Sequence, residues 1–169
     1  MRHVAQTVVL ALVAASVPHA ATAQVLPASK QDRKDVARYA AELEADPLSK
    51  AAKKNRVKVL TIINRSPDLA VAPCRRLLGD LVLSRKLGAP ELRVQLQISG
   101  AKYLAEHPGA PTDAEEVFVA GLEGALAAYA SMRGANPLVQ IDLMDELAER
   151  NARGELADVV REALADCEG

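Results

Sequence analysis

Few residues in this chain carry side chains able to transfer a proton, attack an electrophile or bind a metal in a recognisable pattern. Of its 169 residues, three are histidines (His3, His19, His107) and two are cysteines (Cys74, Cys167). Only His107 lies beyond the N-terminal apolar run, which excludes a multi-histidine metal centre in the remainder. Its setting, Glu106-His107-Pro108-Gly109, is that of a turn closing a helix, where an imidazole meets the last carbonyl groups favourably. That capping role is the preferred reading, and a hydrolase-type site near Glu106 and His107 is the alternative. Such a site would draw a nucleophile from Ser49, Ser66, Ser84, Ser99 or Ser131, and the spacing selects none of them. Neither a Gly-x-Ser-x-Gly elbow nor a glycine-rich phosphate loop occurs. The aromatic platform on which sugars stack has only Phe118, Tyr39, Tyr103 and Tyr129 to draw on, with no tryptophan, and these read as core anchors. No cofactor is expected.

These residues sit in a chain whose first segment reads as a leader. Residues 1–3 carry Arg2, residues 4–17 hold no charged side chain, and Pro18 precedes the small-x-small triplet Ala21-Thr22-Ala23. A bilayer-spanning helix needs about 20 apolar residues; this run is shorter and has the form of a signal peptide, residues 1–23, with Gln24 as the new N-terminus. No later segment has spanning length. Residues 24–30 read as a flexible tether and 31–169 as a single helical domain. In a secreted or periplasmic chain two cysteines imply a Cys74–Cys167 disulfide, which closes a loop of 93 residues.

Alanine, leucine, glutamate and arginine dominate, and no stretch alternates apolar with polar residues between turn signals. This predicts an all-α fold of six or seven helices, in a bundle or an irregular helical-hairpin array. The expected helices cover 31–45, 47–64, 74–87, 90–106, 113–132, 137–152 and 155–166. Proline, glycine and cap residues set their ends, Thr112 or Asp113 starts the fifth with a capping-box glutamate, and Pro73 kinks the chain before Cys74. Ala120, Gly121, Gly124, Ala125 and Ala128 give the fifth helix a shallow face that a neighbour can approach closely.

A tetratricopeptide array is a minority reading. Residues 125–137 resemble its second helix, but the first-helix positions fall on Gly109, Thr112-Asp113 and Glu116, and nothing recurs at a period of about 34 residues. The run Ala120-Gly121-Leu122-Glu123-Gly124-Ala125-Leu126-Ala127-Ala128-Tyr129, with 142–147 and Gly154-Glu155-Leu156-Ala157-Asp158, resembles a family of small exported bacterial proteins without an assigned activity. The resemblance covers the C-terminal third, brings no functional residues, and implies a bacterial, secreted, helical protein.

Charge is the most informative pattern. Residues 24–105 hold 16 basic and 8 acidic side chains, whereas 106–169 hold 4 basic and 14 acidic. At about 100° per residue, Lys50, Lys53, Lys54, Lys58 and Arg65 share one side of the second helix, and Asp142, Asp145, Glu146 and Glu149 share a side of the sixth. The basic face is the candidate binding surface for an acidic protein, an anionic glycan or a lipid headgroup surface, with head-to-tail self-association as an alternative. Two solvated or mutually neutralising faces would need no partner at all. The near-balanced net charge of −1 argues against nucleic acid. The function these features favour is a non-catalytic interaction or structural module of the bacterial envelope. A hydrolase-type envelope enzyme and a carrier of a small apolar ligand between helices are the alternatives.

Overall fold

The computed structural model describes residues 26–72 and 74–167. The leader, its cleavage point before Gln24 and the kink assigned to Pro73 lie outside the described residues. The described chain is all-α: α1 (Lys30–Ala45), α2 (Ala52–Arg65), α3 (Arg75–Leu78), α4 (Ala89–Glu106), α5 (Glu115–Ala135), α6 (Asp142–Ala152) and α7 (Leu156–Ala165), with 3-10 turns at Pro67–Leu69 and Gly79–Val82.

α1, α4 and α5 pack against one another as the centre, α2 lies on α1, α6 and α7 lie on α5, and α3 meets α7. α1 starts where Ser29 and Asp32 form a capping box, and it buries Val36, Ala40 and Leu43 at helical spacing. α4 is different in kind. Leu92, Gln95, Leu96, Ile98, Ser99, Gly100, Ala101 and Leu104 are all buried, so helices cover it on several sides. The small face of α5 is the packing centre expected of it. A Cβ on Gly121 would stand 2.8 Å from the Leu96 carbonyl oxygen, and one on Gly124 would overlap Ser99. Buried apolar side chains form one cluster that runs from Val36 on α1 to Ala163 on α7.

Several ends differ from the sequence expectation. The helix expected from Pro47 begins at Ala52, because Ser49 N–H donates to the Asp46 carbonyl at 3.3 Å and Ala52 N–H to that of Ser49 at 3.0 Å, closing tight turns instead. The helix expected over 74–87 is short. Gly79 takes a φ of 43°, and Arg93 of α4 draws the Leu81 and Val82 carbonyls to its guanidinium at 3.1 and 2.6 Å. Asn136-Pro137 forms a turn rather than a helix start: the Asn136 side chain accepts from Leu138 N–H at 3.0 Å, and Ile141 N–H donates to the Tyr129 hydroxyl at 3.0 Å. α5 starts after Ala114 with no side-chain cap from Thr112 or Asp113. Ala28, within the expected tether, donates its N–H to Asp68 at 2.9 Å and so ties that end of the tether to the fold.

Candidate functional site

The basic face divides into a locked part and a free part. Lys58 donates from Nζ to the Tyr39 hydroxyl at 2.7 Å, while Arg38 covers the same ring 3.9 Å from its centroid. Lys58 and then Arg38 hold the Tyr39 phenol below its usual range by favouring its anion. Arg65 pairs with Asp32 at the start of α1. By contrast Lys53 and Lys54 on α2, and Lys50 in the turn before it, are exposed and make no ion pair among the described residues. Val57, one turn after Lys53 and Lys54, is 59% exposed, and Leu48 is 51% exposed. The result is a strip of three exposed ammonium groups with the apolar Val57 side chain one turn from two of them.

The acidic face of α6 is partly spent inward. Asp142 pairs with Lys86 at 3.1 Å, and Asp145 accepts from the Tyr129 hydroxyl at 2.9 Å and pairs with Arg133. Glu146 and Glu149 stay exposed.

A second feature was not read from the sequence. Between α1, α4 and α5 lies a cleft of about 380 Å³, walled by Glu44, Ser99, Lys102, Tyr103, Glu106 and Glu123 over a floor that includes Gly124. Ser99 donates its hydroxyl to Glu44 Oε1 at 2.8 Å and accepts from Gln95 Nε2 at 3.0 Å, and Lys102 Nζ donates to Glu44 Oε2 at 2.8 Å. Gln95, Ser99 and Lys102 recur at i, i+4 and i+7 on α4, a line of polar side chains at helical spacing, and that spacing is the signal a sequence reading could have used. Nothing local to α4 points to Glu44, 55 positions before Ser99.

The five serines and His107 are not assembled into a nucleophilic pair. His107 Nδ1–H donates to the Tyr103 carbonyl at 2.9 Å and its ring stacks on Tyr103 at 4.1 Å, which is the helix-capping role expected of it. Ser99 is held by Glu44, Ser131 donates to the Ala45 carbonyl at 2.7 Å, and Ser84 accepts from Lys86 N–H at 3.2 Å. Phe118 and Tyr129 are buried as anchors, whereas Tyr39 and Tyr103 are half-buried. Among the described residues no group of three or more His, Cys, Asp or Glu is placed to hold a metal. No described helix is long and apolar enough to cross a membrane.

Cys74, just before α3, and Cys167, just after α7, stand at disulfide distance with their Cα atoms 5.6 Å apart. Beside Cys74 a mainly apolar pocket of about 180 Å³ is lined by Val71, Ala72, Leu78, Leu96 and Phe118, with Arg93 and Gln97 also on its wall. That volume is of the order that takes a ring the size of benzene.

No family model, curated protein or solved structure matches the chain.

Proposed function

We propose that the chain is exported by its N-terminal leader and works outside the cytoplasm as a non-catalytic helical module, whose Lys50, Lys53 and Lys54 strip docks on an anionic lipid headgroup surface. The observation that carries this reading is the contrast within one face: Lys58 and Arg65 are engaged by Tyr39 and Asp32, while these three lysines are exposed and unpaired among the described residues. Exposed Val57, one turn after Lys53 and Lys54, favours a headgroup surface over a purely acidic protein face, because a short apolar side chain can enter the boundary while the ammonium groups meet phosphates. Each lysine near such a surface contributes about 1 kcal/mol, so three give weak, reversible attachment that salt removes. The cysteine pair at disulfide distance supports an oxidising compartment.

Two measurements test this. Chain recovered from outside the cytoplasm should have a mass beginning at Gln24, and recovery with Met1 retained would remove the export step. Full-length mature chain should co-sediment with vesicles containing phosphatidylglycerol but not with purely zwitterionic ones. A K53E/K54E variant, whose buried helix face is untouched, should lose at least about tenfold in binding while keeping its thermal midpoint. Equal binding by wild type and K53E/K54E would overturn the surface. Capture of an acidic protein through these lysines without vesicle binding would overturn the lipid reading.

A further inference from the structure

One end of the bundle gathers leucines that the fold leaves outside. The Ser131 hydroxyl of α5 donates to the Ala45 carbonyl at the end of α1 at 2.7 Å. One residue on from Ser131, Met132 Sδ would stand 2.9 Å from a Cβ on Gly88, and Val139 Cγ1 would stand 3.4 Å from it. The end of α1, the start of α4, and the end of α5 with its following turn therefore lie at one level. The loop before α4 is pinned there: Arg93 donates to the carbonyls of Leu81 and Val82, and Lys86 reaches Asp142 at 3.1 Å. The turn after α5 is pinned too, since the N–H groups of Leu138 and Val139 both donate to Asn136 at 3.0 Å. On these held backbones Leu83 is 83% exposed, Leu138 81% and Leu87 57%. Leu87 directly precedes Gly88 and Leu138 directly precedes Val139, so the close approach of Gly88 to Val139 makes those two leucines neighbours. A single exposed leucine is ordinary, but a group on adjacent loops marks a contact surface.

Charge decides what covers it. Arg85, between Leu83 and Leu87 in the chain, is exposed and makes no ion pair among the described residues, unlike its neighbour Lys86. Lys50, in the turn that leaves α1 at this same end, and Lys53 and Lys54 just after it are in the same state. The exposed, unpaired acids of these segments are Asp46 and Asp80, which leaves an excess of positive charge. A second copy meeting this end across a two-fold axis would set those cations against their own images. An anionic bilayer surface suits both features, with phosphates for the cations and an apolar boundary just beneath for the leucines. We propose that this end of the bundle enters an anionic lipid surface to a shallow depth, with Leu83, Leu87 and Leu138 below the phosphates and Arg85 among them. The leucine contact rests on the lipid reading of the lysine strip and adds to it an apolar anchor, carried by loops of other helices.

The chain has no tryptophan, so L138W places a single indole reporter on one of these loops. With vesicles of phosphatidylcholine and phosphatidylglycerol, the L138W emission should move to the blue, and lipids brominated along their acyl chains should quench it. The L83S/L138S variant alters side chains that stand mostly in solvent, so its thermal midpoint should match wild type while vesicle affinity falls at least about tenfold. Its remaining binding should keep the salt dependence of wild type, because every cation is retained, whereas K53E/K54E should flatten that dependence. Vesicle binding by L138W with unshifted and unquenched emission overturns the leucine contact and leaves the lysine strip standing, as does undiminished affinity in L83S/L138S. No vesicle binding by the wild type overturns both. A concentration-dependent dimer that L83S/L138S abolishes would show that a second copy covers these leucines, and would also overturn the contact.

Discussion

A methyl group at position 124 would enter space that Ser99 occupies and would approach Glu44 Oε1 to 2.7 Å, whereas at position 134, on the same helix, it would meet nothing within 4 Å. Helix propensity alone predicts that alanine at either site gains up to about 1 kcal/mol. At Gly134 that gain should appear. At Gly124 it should be reversed, because α4 and α5 must separate or Ser99 must leave its hydrogen bonds, an overpacking cost of about 1–3 kcal/mol. Urea denaturation of Gly124→Ala and Gly134→Ala should move the midpoint in opposite directions, and a stabilised Gly124→Ala would show that the close approach is not needed. The sequence did mark this stretch of small residues as a packing face. It did not mark what the approach creates, since Ser99 and Glu44 meet only once α1 is folded back over α4.

At the scale of elements, α1 shows how a helix start can also tie two helices together. Asp32 accepts from Ser29 in the capping box and pairs with Arg65 at the end of α2. The Ser29 hydrogen bond, with a smaller contribution from Arg65, holds the Asp32 carboxyl below its usual 3.8 against the opposing effect of burial. A carboxylate with a depressed folded value stabilises the fold fully above its unfolded value and loses that contribution as pH falls through the folded one. The stability gap between wild type and Asp32→Asn should therefore be constant near neutrality and close as pH drops below 3.8. A gap that persists unchanged into acid would mean that the charge is not its source. The periodicity of Val36, Ala40 and Leu43 made α1 legible in advance, and Gly88 followed by Pro90 marked the start of α4. What escaped were the segments whose conformation another element decides. The stretch after Cys74 has helical composition, yet Arg93 from α4 holds the carbonyls of Leu81 and Val82, and the segment after Asn136 is fixed by the Tyr129 hydroxyl from α5.

Across the whole molecule, the charge asymmetry of the sequence is bridged in part by the fold, and the cysteine pair stands at disulfide distance between the same two halves. Arg76 reaches Asp166 at 3.3 Å and Lys86 reaches Asp142 at 3.1 Å, each joining the basic half to the acidic one. Both pairs are exposed, and such pairs are worth at most about 1 kcal/mol each. A stronger tie is available beside the first of them, where Cys74 and Cys167 lie at disulfide distance across a separation of 93 residues. If the bond is formed, loop-closure entropy removed from the unfolded chain stabilises the fold by about 4–5 kcal/mol, less any strain. A Cys74→Ser/Cys167→Ser variant should lose most of that amount in urea denaturation, and reducing the wild type with dithiothreitol should bring its midpoint down to the variant's. α7 is the helix the link anchors directly, since Cys167 follows it and Cys74 precedes α3, which packs on it; its other contacts are with α5 and α6. Amide exchange should therefore accelerate in α7 before α4 or α5 once the link is cut. A wild-type midpoint insensitive to reduction, with non-reducing peptide maps that show two free thiols, would leave α7 held by packing and exposed ion pairs alone.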